Sequence, residues 1–185
     1  MKSTTKPRLV ILSDLWGTKN SQWLNNYTSI LDQHFDTAFY NSTDLAEIEM
    51  LNLAQDQIHQ RFIANGINKA VENLLKHETE SINILAFSIG GTIAWKAALK
   101  GLKVKNLFAV SATRLRYETE KPAGKIELFF GDDDSFLPDL EWFDKLIIKK
   151  HIFTSQDHEM YRQKEIAYEI CSVIVRELTA NPKEN

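Results

Sequence analysis

A chain of 185 residues is long enough to bury one core without disulfides or metals and short for two ordinary domains, so it reads as a single unit spanning residues 1–185. Its 43% hydrophobic, 25% charged and 10% aromatic residues exclude a disordered chain. With 22 basic residues against 25 acidic, a net charge of -3, there is no global positive field to gather nucleic acid or an anionic membrane, and neither is expected as a partner.

The single cysteine, Cys171, excludes an intramolecular disulfide, and its neighbours Ile170, Val173 and Ile174 mark it as a buried structural thiol. The apolar run Leu9 to Leu12, behind Lys2, Lys6 and Arg8, is shorter than the hydrophobic region of a signal peptide. Charges interrupt every other apolar run before it reaches the length of a membrane span. These features predict a cytoplasmic protein.

Along the chain, short apolar runs alternate with longer amphipathic stretches, the pattern of strand-helix-strand units around a mostly parallel sheet. The first strand is expected at 8–13 (RLVILS), followed by a helix of about three turns, capped at Asn20 or Ser21, with Trp23, Leu24, Tyr27, Ile30 and Leu31 at helical spacing. A strand at 36–41 precedes a helix from Ala54 to Lys76, carrying Ile58, Phe62, Ile67, Val71 and Leu74, with Gly66 as a kink. The strand at 82–87 runs into a helix that starts at Ile89 and stops before Gly101. Strands at 104–110, 125–130 and 146–153 follow, the first two separated by the charged loop Arg114 to Lys125. A last helix spans Met160 to Leu178, and Lys183 to Asn185 should fray. The first and third strands, apolar throughout, should be central.

The stretch LAFSIGGT, residues 85–92, sets Ser88 between a strand and a helix. A nucleophile elbow needs that context, because its sharp turn lifts the hydroxyl above the carboxyl edge of the sheet and brings neighbouring backbone very close. Small residues are then required two places before and two places after the serine, here Ala86 and Gly90, with Gly91 following. Ala86 stands where the common G-x-S-x-G pattern has its first glycine, and a methyl is the smallest intrusion possible there. The alternative is a serine that merely caps a helix.

A serine hydroxyl needs a base to become a nucleophile. Of the five histidines, His34, His59 and His77 fall on or near helices before the serine and His151 falls inside a strand. His158, in SQDHEMY, alone follows a strand end downstream of Ser88. The base in turn needs a carboxylate to hold its tautomer, and IELFFGDDDSFLP ends a strand at Gly131 followed by Asp132, Asp133 and Asp134, any of which the reading of residues leaves open.

The order serine, acid, histidine, each after a strand, resembles the α/β-hydrolase superfamily, over nearly the whole chain. In that family a glycine, two variable residues, an aspartate and a later proline form the acid turn, and Gly131, Asp134 and Pro138 match it, which selects Asp134. The resemblance implies one α/β-hydrolase domain, a three-layer α/β sandwich around about six strands in the order 2-1-3-4-5-6; Ser111 to Gly124 leaves no room for the cap domain that many relatives insert between the fourth and fifth strands, and tails are expected at 1–6 and 180–185. It also implies an oxyanion hole from two backbone N–H groups. Ile89, after the serine, is one donor. The second comes from SDLWG, where Asp14 and Leu15 stand in place of the family's His-Gly, so that Trp16, with Leu15 next, is the expected donor. The implied activity is a serine hydrolase cleaving a small ester or thioester acyl substrate. Trp16, Phe136 and Trp142 stand near the expected rim, where they favour a partly apolar acyl group or simply pack.

Two other classes compete: a hydrolase scaffold working through protein partners, and a flavodoxin-like nucleotide-binding domain. SIGGT lacks both the G-x-G-x-x-G fingerprint and the lysine of a P-loop, and His and Cys show no metal-ligand spacing, so neither a cofactor nor a metal is expected.

Overall fold

The computed structural model describes residues 6–180. The expected tails therefore lie outside the described residues except for Lys6 and Ala180, as does the fraying end Lys183 to Asn185. Six strands form one sheet: β1 (Arg8–Leu12), β2 (Asp36–Tyr40), β3 (Ile82–Phe87), β4 (Val104–Val110), β5 (Lys125–Gly131) and β6 (Lys149–Phe153). Their order is β2-β1-β3-β4-β5-β6 and every pairing is parallel, the order expected from the sequence. All six carboxyl ends consequently open on one edge, with the order reversing at β1 and β3, where parallel sheets hold their ligands.

Alternation along the strands divides the core in two. Leu9, Ile11, Leu85, Phe87, Phe108, Val110 and Phe129 face α1 (Asn25–His34) and α7 (Lys164–Thr179). Val10, Leu12, Ile84, Ala86, Ala109, Leu128 and Phe130 face the other layer, made by α2 (Ser42–Leu45), α3 (Gln55–Arg61), α4 (Ile67–His77), α5 (Ile89–Leu99) and α6 (Leu140–Leu146). Cys171 is fully buried under α1, and burial pushes its thiol up to about 12, the behaviour of an inert packing residue.

Four local readings change. Helix α1 is entered through a 3-10 turn, Gln22–Leu24, and Ser21 makes no side-chain cap; its hydroxyl donates to the Thr18 carbonyl. The long second helix is continuous but carries a π turn over Phe62–Gly66. The π turn closes on Gly66, where a Cβ would lie 2.9 Å from Ile48 Cδ1 and 3.0 Å from the Arg61 carbonyl, and α4 continues from Ile67. The run at 146–153 is not all strand: Asp139 caps α6 by accepting the Trp142 N–H at 2.8 Å, and the helix ends at Ile147 in the left-handed region, φ 52°. Strand β6 begins only at Lys149. The last helix splits into a 3-10 turn, Met160–Arg162, and α7.

Between β4 and β5 the chain forms only a 3-10 turn, Leu115–Tyr117, with no helical layer inserted over the carboxyl edge of the sheet. Among the described residues no helix is long and apolar enough to cross a membrane.

Candidate active site

Ser88 leaves β3 with φ 51° and ψ -117°, a conformation that costs a non-glycine residue on the order of 1–3 kcal/mol. Surrounding backbone holds it there: its N–H donates to the Val110 carbonyl at 2.9 Å, and its carbonyl accepts the Gly91 N–H at 3.1 Å. The two glycines earn their places differently from Ala86. A Cβ on Gly90 would strike the Ser13 carbonyl, and one on Gly91 would lie 2.6 Å from Ala112 Cβ. The Ala86 methyl points into the core beside Leu12 and Ala109, its partners in register, where there is room for it.

His158 lies with its Nε2 3.1 Å from Ser88 Oγ. Its Nδ1 is 3.0 Å from Asp134 Oδ2 and 3.2 Å from Asp134 Oδ1. Asp134 is buried, whereas Asp132 and Asp133 are exposed, their N–H groups donating to the Phe153 and Gln156 carbonyls. Those two bonds sew the acid turn to the histidine loop, and Gly131 lets them form: a Cβ there would collide with the Gln156 carbonyl. Asp134 Oδ1 also accepts the Phe136 N–H at 2.9 Å, and the Phe136 ring stands edge-on to the imidazole, centroids 4.7 Å apart.

The histidines passed over have other surroundings. His151 bonds Glu127 at 2.8 Å and stacks on Phe129, and His77 stacks on Tyr40. His59, half-buried on α3, does reach the cavity around Ser88; its position within a helix gave no hint of that. Trp142 does not reach it: the ring packs on Trp95 and its Nε1 donates to the Glu118 carbonyl at 2.7 Å.

The cavity has a volume of about 200 Å³, and Leu15, Trp16, Ser88, Phe136, His158 and Tyr161 are among the residues that line it. A wider cleft of about 730 Å³ adjoins it across Trp16. Ile89 is the first residue of α5, so its N–H has no partner within the helix. Trp16 is not free to be the second donor, because its N–H already donates to Asp14 Oδ1 at 3.0 Å, closing an Asx turn. Among the described residues the Leu15 N–H has no hydrogen-bond partner, which makes Leu15 the available donor in this loop.

Sequence reasoning also missed what Asp14 does. Its carboxylate is buried and accepts from the Tyr161 hydroxyl at 3.1 Å and from Arg162 Nη2 at 3.2 Å. Burial raises the Asp14 carboxyl above its ordinary value, opposed by the Arg162 charge and these bonds. The partners stand far along the chain, and no local signal announced them.

No protein-family model matches the sequence, and no curated protein matches it either. Solved structures do. A predicted CIB-like hydrolase from Thermoplasma acidophilum superposes with a TM-score of 0.66 at 16% identity, over 96% of this chain and 88% of the other. An alpha-beta serine hydrolase homologue from Coxiella burnetii gives 0.64 at 20% identity, over 96% and 88%. A carboxylesterase structure from Nitrososphaera gargenis gives 0.65 at 14% identity, over 94% and 91%. At these identities the likeness extends to the fold.

Proposed function

We propose that this chain, which has the α/β-hydrolase fold, is a serine hydrolase that cleaves small carboxylic esters or thioesters through Ser88, His158 and Asp134. The observation that carries the reading is the continuous relay from Ser88 Oγ to His158 Nε2 at 3.1 Å and from Nδ1 to Asp134 at 3.0 Å, mounted on a strained strand-to-helix turn. Three groups from separate strand ends meet at hydrogen-bonding distance, in the order nucleophile, base and orienting acid.

In this reading Ser88 Oγ attacks the acyl carbon while its proton passes to His158 Nε2. Asp134 holds Nδ1–H and stabilises the imidazolium. The oxygen of the tetrahedral intermediate takes its hydrogen bonds from the Leu15 and Ile89 N–H groups. As the intermediate collapses, the C–O or C–S bond breaks and the leaving alcohol or thiol takes the proton from His158. Water then attacks the acyl-serine, giving its proton to His158, which returns it to Ser88 Oγ as the acid departs. No step needs a cofactor. The small cavity, with Trp16 and Phe136 in its wall, favours a short, partly apolar acyl group. That one structural neighbour is a carboxylesterase agrees with an ester substrate.

A fluorophosphonate probe tests the proposal. Wild type should be labelled on Ser88 and hydrolyse p-nitrophenyl acetate, and Ser88→Ala should do neither. A wild type that stays unlabelled where a control esterase reacts ends the hydrolase reading.

A further inference from the structure

We propose that Asp14 is a positioning residue that locks the oxyanion loop to the histidine loop, leaving the Leu15 N–H as the donor; the role rests on the hydrolase reading above. Asp14 is 1% exposed, and a carboxylate taken so far out of water persists only if its oxygens are well bonded. Its three bonds come from two places. Oδ1 accepts the Trp16 N–H of its own loop, and Oδ2 accepts from Tyr161 and Arg162, three and four residues after His158.

Each bond has a separate consequence. The Trp16 bond fixes the orientation of the peptide groups on either side of Leu15 and removes the competing donor. The Tyr161 bond ties that loop to a rigid block. Tyr161 is 2% exposed, its carbonyl accepts the Tyr27 hydroxyl at 3.0 Å, and its ring packs against Trp23 and Phe87, with centroids 4.8 and 5.5 Å away. Phe87 is the residue before Ser88. The oxyanion loop, the base and the nucleophile are thereby referenced to one aromatic cluster, and their relative positions are set before any substrate arrives. The Arg162 bond supplies the charge that offsets the buried carboxylate.

The test compares Asp14→Ala and Asp14→Asn with wild type, using p-nitrophenyl acetate as substrate and an aryl trifluoromethyl ketone as inhibitor. The ketone forms a hemiketal with Ser88, and its oxygen occupies the oxyanion hole. Asp14→Ala should lower kcat by about 100-fold with KM within about threefold, the signature of a lost transition-state donor. Affinity for the ketone should fall by the same factor. Asp14→Asn keeps an acceptor for the Trp16 N–H and should recover about tenfold of that loss. If Asp14→Ala does not fold, Tyr161→Phe, which removes one bond to Asp14, should still lower kcat about threefold or more at unchanged KM. A folded Asp14→Ala protein with kcat and ketone affinity within about twofold of wild type overturns the role of Asp14 alone. A wild type that neither turns over ester nor binds the ketone overturns the hydrolase reading, and the positioning role with it.

Discussion

The loops after β1 and β5 begin alike and end in different roles. Each carries near its start an aspartate whose Oδ1 accepts the N–H two residues on, Trp16 to Asp14 at 3.0 Å and Phe136 to Asp134 at 2.9 Å. Both carboxylates are buried. They part at the remaining contacts, and one short segment supplies both sets: His158 to Asp134, Tyr161 and Arg162 to Asp14. The local sequence makes the same turn twice; the long-range partner decides whether the carboxylate meets an imidazole or a tyrosine hydroxyl and a guanidinium.

The first way to sharpen this contrast is to neutralise each carboxylate. Asp134→Asn should lower kcat by about 10⁴-fold, because the imidazole loses the group that sets its tautomer, against about tenfold for Asp14→Asn. Equal losses measured by steady-state kinetics would erase the distinction drawn here.

The glycines of the two loops offer a second contrast. Gly131→Ala drives a Cβ into the backbone carbonyl of Gln156, which has no easy escape, and should destabilise the protein by about 3 kcal/mol in urea unfolding. Gly17→Ala must keep φ at 60° and also displaces the Asn41 amide, whose Oδ1 caps α2 by accepting the Thr43 N–H and hydroxyl; strain and the loosened cap together should cost about 2 kcal/mol.

Acid gives the smallest and most graded comparison. Bonds from Lys125 and Lys149 hold Glu177 at about 2. Burial pushes Glu127 and Glu78 up, but Lys149 and His151 for the first, and Arg8 and Tyr40 for the second, outweigh it and leave both lowered. A carboxyl lowered in the fold adds stability above its ordinary value and loses it as pH falls through the folded one. The melting temperature should therefore decline from about pH 4.5 towards pH 2. Asp14, raised by burial, carries the opposite sign, since its protonation favours the folded state. In Asp14→Asn that opposing contribution is gone, and the acid decline should be steeper than in wild type.

The strands were legible because buried parallel strands are apolar on both faces, and β3 and β4 were read to the residue. The same rule misled at LIIKKHIF, where the apolar end of α6 abuts β6 and the helix stop is an isoleucine in the left-handed region rather than a glycine. Ser88 and His158 could be singled out because each follows a strand end, whereas that rule left Asp132, Asp133 and Asp134 open, and only the spacing of Gly131, Asp134 and Pro138 in the resembled family selected Asp134. Which N–H of the β1 loop is left free could not be read, since Trp16 and Leu15 differ only in which N–H the Asp14 carboxylate takes. The anchoring of Asp14 was illegible for a stronger reason: its partner hydroxyl lies 147 positions away.

The bare passage between β4 and β5 has a kinetic consequence. On the hydrolase reading proposed above, no segment of that connection has to swing open and shut for a substrate to reach Ser88, and chemistry rather than gating there is expected to limit turnover. Added sucrose or glycerol should then slow kcat hardly at all, in contrast to an enzyme that waits on the motion of a lid.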